Sequence, residues 1–497
     1  MDDLTAARLA HHRSSSSSDV PGMDHPMRAI IVGAGPVACL VAIELRKRFA
    51  QVDVYEKGAD IRKSPRSTNH SFNLTLTLRG LSSLESKIQE LLYANGIKMP
   101  QRVVHHVDDS LSYQPYGTKV EHHLLSIPRD ILHRILLDQA ESSGARFFFD
   151  HECIGANPKA ARATFIVNND VVRDVKADIL IGCDGTNSTV RHEMSRHGAR
   201  MHVSQEYIPH GYVELRMPPT PTGEHALLHT LRDHRVAESF DHGLHVWPRG
   251  NFMLLAQPNI DKSYTASLFM PLTSEHPNQP SFQHLRTAKD VSTFFRQYFP
   301  DAAKRLPQMT TDFLAAPPSS LRTLRCFPYH YGRSVLIGDS AHTMVPFYGQ
   351  GINCSFEDVR NFFDIFDCHV KRNPLDVTID KTLEEFTRTR TGPGEAIMAL
   401  SLSNLRELTS RTGEKSYHVR SRLERMLHLH YPDKFMPLYH MVAFTNIPYD
   451  ELVYRHEQEG LVIDNLCSRF DIETEPDKII ESYSSQRRVL DESAYRR

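Results

Sequence analysis

The sequence of 497 residues predicts an α/β fold: a Rossmann-type dinucleotide-binding domain interleaved with an antiparallel-sheet domain, followed by a C-terminal helical cap. Three stretches predict the dinucleotide-binding part, and each places a glycine-containing turn between a buried apolar strand and a helix. They are residues 27–56, 177–191 and 334–358. Because the carboxyl ends of parallel strands meet at one edge of a sheet, we expect the three turns to converge on one ligand.

The first stretch carries the G-x-G-x-x-A form of the dinucleotide fingerprint. Gly33 permits the tight turn, Gly35 lets a pyrophosphate approach the backbone, and Ala38 lies where the helix packs on the strand. Glu56 ends the next strand, about 20 residues past the glycines, where an acid binds ribose hydroxyls. This spacing leaves NAD and FAD open as ligands. A second G-x-G run, Thr391–Gly394, follows a charged helical pattern and predicts a loop before a helix.

The second and third stretches add turns that a nicotinamide dehydrogenase does not need. Asp184-Gly185 follows the apolar strand 179–181, and Gly338-Asp339 follows the strand 334–337. The run Gly349–Gly351 then opens a helix, whose start presents free N–H groups and a positive dipole end to an anionic ligand. Three separate turns suit a long cofactor, so together they favour a flavin dinucleotide.

The rest of the chain does not show this alternation of strands and helices. Residues 202–319 show alternating apolar runs, which predict an antiparallel sheet that roofs the cofactor and leaves a pocket for a small molecule. Residues 376–470 repeat apolar residues at helical spacing and predict the cap. The predicted division is a disordered lead, 1–26; a discontinuous dinucleotide-binding domain, 27–201 and 320–375; the sheet, 202–319; the helical region, 376–470; and a polar tail, 471–497.

Composition excludes several classes of function. A net charge of −2 argues against a nucleic-acid partner. Seven cysteines without a C-x-x-C pair indicate reduced thiols inside a cell. No apolar run has the length of a membrane span, and the N-terminus lacks the apolar core of a secretory signal; peripheral membrane association and the oligomeric state are left open. His428 and His430 do not face each other on a helix, so no metal site is predicted.

These motifs resemble those of the class A flavoprotein aromatic hydroxylases, which have the para-hydroxybenzoate hydroxylase-like fold. In that family the glycine fingerprint holds the ADP part of FAD, the Asp-Gly motif lies near the pyrophosphate, and the Asp of the Gly-Asp motif binds the ribityl chain. An arginine before a helix, here Arg129, contacts the flavin. The resemblance implies bound FAD, with NADPH and O2 as co-substrates. The residues it implies for cofactor binding are Gly33, Gly35, Ala38, Glu56, Arg129, Asp184, Gly185, Gly338, Asp339, Gly349, Gly351 and Asn353.

Within that family, several stretches resemble the kynurenine 3-monooxygenases, over about Met27 to Tyr449: residues 115–119, 207–215, 245–249, 268–271, 345–351 and 437–439. The resemblance implies 3-hydroxylation of L-kynurenine through a flavin C4a-hydroperoxide, in tryptophan degradation on the route to quinolinate and NAD. No acid or base residue is required, since the chemistry is carried by the flavin. The implied location is cytoplasmic or peripheral at the mitochondrial outer membrane.

The resemblance also implies the substrate residues. Arg102 matches the arginine that binds the amino-acid carboxylate, a task suited to a bidentate guanidinium. The full implied set is Arg102, Tyr116, Asn404 and Tyr439 at the amino-acid end, with Pro346, Phe347 and Gln350 beside the flavin ring. Ser403 and Leu405 flank Asn404 where the family usually has aromatic residues. A paralogous hydroxylase of another ortho-aminoaryl amino acid in secondary metabolism is therefore kept as an alternative. A non-catalytic flavoprotein is kept as an alternative from another class.

Overall fold

The computed structural model describes residues 27–63, 73–117, 121–167, 170–227, 242–276, 279–315, 317–406, 415–432, 434–472 and 474–494. The predicted disordered lead, 1–26, and the end of the stretch 115–119 lie outside the described residues. Within this part of the chain, no helix combines the length and the apolar character needed to cross a membrane.

The described strands and helices follow in chain order. The strands are β1 Arg28–Val32, β2 Gln51–Tyr55, β3 Asn73–Leu76, β4 Ile97–Met99, β5 Gln101–His105, β6 Leu111–Pro115, β7 Leu124–Pro128, β8 Arg146–Phe148, β9 His151–Asn157, β10 Arg162–Val167, β11 Val171–Lys176, β12 Ile179–Gly182, β13 His202–Met217, β14 Leu244–Pro248, β15 Met253–Pro258, β16 Tyr264–Pro271, β17 Ser319–Phe327, β18 His330–Tyr331, β19 Ser334–Leu336 and β20 His342–Thr343. The helices are α1 Pro36–Arg46, α2 Leu78–Leu81, α3 Ser86–Asn95, α4 Arg129–Ser142, α5 Thr189–Arg196, α6 Ala288–Tyr298, α7 Pro300–Ala303, α8 Met309–Ala315, α9 Gly351–Val370, α10 Leu375–Arg406, α11 Lys415–His430, α12 Leu438–Phe444, α13 Tyr449–Arg469 and α14 Pro476–Ala494.

The dinucleotide-binding sheet has six strands in the order β18-β19-β12-β1-β2-β8. Strand β1 lies parallel to β12 and β2, and β12 lies parallel to β19. The apolar runs 29–32 and 179–182 are buried, as expected for parallel strands with both faces covered. Because β1, β12 and β19 run in one direction, the three turns that follow them lie at the same edge of the sheet.

The predicted antiparallel sheet is confirmed, with eight strands in the order β20-β17-β13-β16-β15-β14-β5-β6. Its only parallel pair among the described strands is β14 with β5. Helices α6–α8 cover the far face, where Trp247, Phe295 and Phe299 form part of a buried core. Strands β5, β6 and β20, and all of β17 but its first residue, join this sheet from segments predicted for the dinucleotide-binding domain. The pairing partner of a strand, and not its place in the chain, decides its sheet.

The predicted loop at Thr391–Gly394 is wrong, since this run lies inside the continuous helix α10. Gly394 allows the helix to pass close to Tyr329: a Cβ on Gly394 would lie 2.8 Å from the Tyr329 hydroxyl oxygen. Pro393 is tolerated within the helix, although proline is unfavourable in a helix interior. Tertiary packing has therefore overridden the local signal of glycine and proline.

The segment predicted as a polar tail, 471–497, contains helix α14 over Pro476–Ala494. Ile479 and Tyr483 lie four positions apart and are both fully buried, in one cluster with Leu423 and Leu466. Residues at this spacing share one helix face, so a largely polar sequence can still dock a narrow apolar stripe. The cap therefore extends beyond the predicted boundary at residue 470.

Candidate active site

A cavity of about 370 Å³ lies where the three turns meet the eight-stranded sheet. Its lining includes Gly35 after β1, Gly185 after β12 and Asp339 after β19, so the turns converge as the sequence predicts. The sheet contributes apolar side chains opposite these turns, among them Leu255 and Phe269. A cavity of this size and mixed lining is typical of small-molecule sites.

The turn after β1 fits a pyrophosphate. Gly33 has a φ of +92°, and a Cβ there would lie 2.4 Å from the Cys183 carbonyl oxygen, so only glycine is tolerated. A Cβ on Gly35 would meet no heavy atom within 4 Å, so the space before helix α1 is open. The Gly35 carbonyl accepts from the Cys39 N–H at 3.0 Å and begins the helix. An anion can therefore approach the first N–H groups of α1 directly.

Glu56 is held beside the same turn. Its carboxylate accepts from the Ala34 N–H and from the Gly58 N–H, each at 2.8 Å. Each carboxylate oxygen has a further lone pair that can accept from a hydroxyl group. The predicted ribose-binding acid thus has a fixed orientation at the end of β2.

The turns after β12 and β19 are tied to each other. Thr343 donates its hydroxyl hydrogen to the Asp339 carbonyl at 3.0 Å and lies 2.9 Å from the Thr186 hydroxyl. Asp339 lines the cavity. Asp184 is placed differently, since its carboxylate accepts from the Val190 N–H at the start of α5, and burial raises its pKa.

Arg129 supplies a positive charge to the same cavity. It is exposed, lines the cavity at the start of α4, and has no carboxylate within 4.0 Å among the residues that the structure describes. A cation beside the positive end of a helix dipole is unfavourable unless an anion balances it. The open Gly35 turn, the Asp339 carboxylate and this cation together fit a flavin dinucleotide.

The third turn closes the cavity. Residues Pro346–Tyr348 form a short 3-10 helix, Gly349 has a φ of +66°, and Gly351 begins α9. Asn353 is fully buried: its amide nitrogen donates to the Gly349 and Thr75 carbonyls at 2.7 and 2.8 Å. The Asn353 amide therefore fixes the turn from behind, while Gly349 and Gly351 line the cavity.

The predicted amino-acid end brings together residues from three distant segments. The Arg102 guanidinium carbon lies 5.4 Å from the centre of the Tyr439 ring, and Tyr439 stacks on Tyr116 at 5.5 Å. Burial raises the pKa of both tyrosine hydroxyls, so both stay protonated at neutral pH and can donate hydrogen bonds. Sequence reasoning missed Tyr348. Its ring also stacks on Tyr439, with 5.5 Å between the ring centres, and it lines the cavity. Its place in the stretch 345–351 was the available signal.

Three predicted substrate residues do not line the cavity: Tyr116 stacks on Tyr439, and Asn404 and Gln350 lie behind the third turn. Asn404 donates its amide hydrogen to the Phe347 carbonyl at 2.7 Å, and Gln350 is fully buried with its amide oxygen accepting from the Tyr449 hydroxyl at 2.9 Å. Phe347 itself lines the cavity with Pro346. Residue type alone does not indicate which side of a tight turn a side chain takes.

A polar strip on the cavity wall was also missed. Gln257 donates its amide hydrogen to the Thr75 hydroxyl at 2.7 Å, and Asn73 donates to the Ser126 hydroxyl at 2.9 Å. Gln257, Thr75 and Asn73 all line the cavity. The partners lie on β15, β3 and β7, so no local sequence pattern connects them.

Three buried side chains of metal-ligating type lie together, but an arginine already contacts two of them. Potential ligand atoms of His342, Cys354 and Asp358 lie within 4.8 Å of one another. The Arg390 Nε donates to Asp358 at 2.8 Å, and its Nη2 lies 3.8 Å from the Cys354 sulfur. Burial raises the pKa of the Cys354 thiol. The Arg390 guanidinium therefore already supplies a positive charge to Asp358 in this group.

Comparisons with known proteins agree with this geometry. Residues 27–378 match the family model described as an FAD binding domain. The chain is 35% identical to kynurenine 3-monooxygenase of Sus scrofa over 438 residues, covering 87% of each chain. It is 34% identical to kynurenine 3-monooxygenase of Flavobacterium psychrophilum over 474 residues, covering 93% of this chain and 100% of the relative.

Solved structures share the fold at lower identity. The tetrameric form of 2-methyl-3-hydroxypyridine-5-carboxylic acid oxygenase is 17% identical with a TM-score of 0.59, covering 79% of this chain and 95% of its own. Pseudomonas aeruginosa PqsL in complex with 2-aminobenzoylacetate is 16% identical with a TM-score of 0.59, covering 78% and 97%.

Proposed function

The chain belongs to the kynurenine 3-monooxygenase family of FAD-dependent hydroxylases, and from this premise we propose that it converts L-kynurenine to 3-hydroxy-L-kynurenine. The reaction consumes L-kynurenine, O2, NADPH and a proton and yields the hydroxylated product, NADP⁺ and water. One oxygen atom of O2 enters the ring and the other leaves as water. The substrate is a small molecule with one carboxylate and one aromatic amine.

The observation that carries this proposal is a single cavity with two chemically different sets of lining residues. Arg102 on β5 and Tyr439 on α12 form one set, and Gly35, Gly185 and Asp339, in the turns of the dinucleotide-binding sheet, form the other. The first set suits an amino-acid carboxylate, and the second suits a dinucleotide. A ring held between them would lie against the cofactor.

At the carboxylate end, Arg102 binds and orients the substrate. A guanidinium forms two parallel hydrogen bonds with a carboxylate, which fixes direction as well as affinity. The protonated hydroxyls of Tyr116 and Tyr439 donate further hydrogen bonds nearby. The stack of Tyr116, Tyr439 and Tyr348 limits the rotation of these rings.

At the ring end, FAD supplies the redox chemistry when it is bound, taking electrons from NADPH and passing one oxygen atom of O2 to the substrate. The apolar residues around the cavity position the substrate ring and exclude water from it. Phe269 packs edge-to-face against Phe347 at 5.3 Å, and Met253 and Leu255 extend the apolar wall that excludes water. The start of α9 at Gly351 directs its N–H groups toward this end, where they stabilise negative charge. The aromatic amine of the substrate activates the ortho carbon without help from a protein base.

The proposed location is inside the cell, in the cytoplasm or peripherally at the mitochondrial outer membrane. All seven cysteines are free thiols, which suits a reducing compartment. Cell fractionation of the full-length chain should recover it in one of these two fractions, and recovery in a secreted fraction would contradict the location.

We expect the purified protein to bind FAD and to oxidise NADPH faster with L-kynurenine than without it, forming a product identified by mass as 3-hydroxykynurenine. Ring-substituted kynurenines and other ortho-aminoaryl amino acids form the comparison panel. Faster turnover of a panel member would favour the paralogous hydroxylase. Leu405, next to Asn404, belongs to the buried cluster against which the cavity residue Phe347 packs. FAD binding without stimulation by any panel member would instead favour a non-catalytic flavoprotein.

A further inference from the structure

We propose that Arg79 is a positioning residue. It holds α12 and the start of α13, which close the substrate end, against α9, which begins at the cofactor end. The proposal rests on the proposed function, because it assigns Tyr439 to the substrate end and the third turn to the flavin end. Neither composition nor motif spacing points to Arg79. Its side chain is one of the largest that is fully buried in the described part of the chain.

The Arg79 guanidinium contacts two carbonyls that belong to the C-terminal cap. Its Nε donates to the Val442 carbonyl at 3.2 Å, and its Nη2 donates to the Ile447 carbonyl at 2.7 Å. Val442 lies on α12, three residues after Tyr439, so the two share one face of that helix. Arg79 therefore holds the end of the short helix whose beginning carries a cavity residue.

The same guanidinium contacts the cofactor side of the molecule. Its Nη1 donates to a carboxylate oxygen of Glu357, which lies on α9 less than two turns after Gly351. Its carbon atom lies 4.0 Å from the centre of the Tyr449 ring, and the Tyr449 hydroxyl donates to Gln350 in the third turn. One buried cation thus connects α12, the start of α13, the third turn and α9.

The neighbouring charges predict where a change at Arg79 would act. Glu357 also accepts from Arg390 at 3.1 Å and from Arg360 at 3.3 Å, so it would stay paired without Arg79. The Val442 and Ile447 carbonyls would lose the Arg79 donor, and this loss is costly at Val442, which is fully buried. Helix α12 should therefore loosen from α2 while α9 keeps its ion pairs.

Lysine is the informative replacement. It keeps the positive charge next to Glu357, but one ammonium cannot copy the planar fork that reaches two carbonyls and a carboxylate. Arg360→Lys is the matched control. Arg360 bonds to the same Glu357 carboxylate and to Ser82 and Asn446, but none of its bonds goes to α12 or Tyr449.

With Arg79→Lys, we expect the KM for L-kynurenine to rise about tenfold, as for the loss of one buried hydrogen bond. The product formed per NADPH should fall and H2O2 should rise, while the dissociation constant of FAD, measured by flavin fluorescence, stays the same. Hydrogen exchange of the FAD-loaded protein should increase in residues 438–444. Arg360→Lys should match the wild type in all four measurements.

Tyr449→Phe separately tests the connection from Arg79 through Tyr449 to the third turn. It keeps the ring beneath the guanidinium and removes only the hydrogen bond to Gln350. We expect lower product yield per NADPH, with the KM for L-kynurenine unchanged.

Two failures are distinguishable. If the wild type does not hydroxylate L-kynurenine, the proposed function fails, and hydrogen exchange of residues 438–444 still tests the role of Arg79. If the wild type is active but Arg79→Lys lowers only the Tm, with exchange, KM and product yield unchanged, Arg79 is a purely structural cation and the inference is overturned.

Discussion

Replacing Arg102 with alanine is expected to raise the KM for L-kynurenine about 100-fold, because the loss of one partner of a desolvated charge pair costs several kcal/mol. FAD binding should not change, since Arg102 lies on β5 of the eight-stranded sheet, whereas Gly35 and Asp339 lie in turns of the dinucleotide-binding sheet. The measurement is steady-state NADPH oxidation against substrate concentration, together with flavin fluorescence titration of the apoprotein. Arg102→Lys should give an intermediate KM, because it keeps the charge and loses the second hydrogen bond.

A substrate analogue provides the matched control for this prediction. Kynurenamine lacks the carboxylate, so the wild type and Arg102→Ala should have similar KM values for it. An equal loss with both compounds would mean that Arg102 shapes the cavity without binding the carboxylate. Unchanged kinetics with L-kynurenine would remove Arg102 from the site.

The second large effect is expected at Asp339. Asp339→Ala should weaken FAD binding roughly 10- to 100-fold, because the proposed role of Asp339 is to accept charge-assisted hydrogen bonds from the hydroxyls of the ribityl chain and the variant would lose them. Asp339→Asn keeps one acceptor oxygen and should lie between the wild type and alanine. The dissociation constant of FAD, measured by fluorescence with the apoprotein, reports the effect without any turnover.

Asp174→Asn is the control for Asp339. Asp174 lies on β11 in a separate three-stranded sheet and pairs with Arg162 at the surface, with about half of its side chain exposed. Its replacement should leave FAD binding unchanged. Equal FAD binding by the Asp339→Ala variant and the wild type would place the ribityl chain elsewhere.

The convergence of the three turns on one cavity could be predicted because its constraints are local. Gly33 lies against the Cys183 carbonyl, Gly35 leaves the helix start open, and each precedes or begins a regular element with a recognisable apolar pattern. The direction of the parallel strands then brings distant turns to one edge. Both kinds of information are present in short stretches of sequence.

The substrate half depends on contacts that no short stretch contains. Asn404 bonds to the Phe347 backbone, and Arg79 bonds to carbonyls 363 and 368 residues away. The path of α10 through Thr391–Gly394 likewise depends on its close packing against Tyr329 at Gly394. Residue type and local spacing do not determine such contacts, because they follow from how separate elements pack.

Labelling with ¹⁸O₂ tests the central claim most directly, since it follows the oxygen atom itself. We expect the FAD-loaded protein, given NADPH and L-kynurenine, to form 3-hydroxykynurenine that carries one ¹⁸O atom on the ring carbon next to the amine. The same reaction in H₂¹⁸O under ordinary O2 should give an unlabelled hydroxyl. An unlabelled product under ¹⁸O₂, or NADPH oxidation that yields only H2O2, would contradict the assignment.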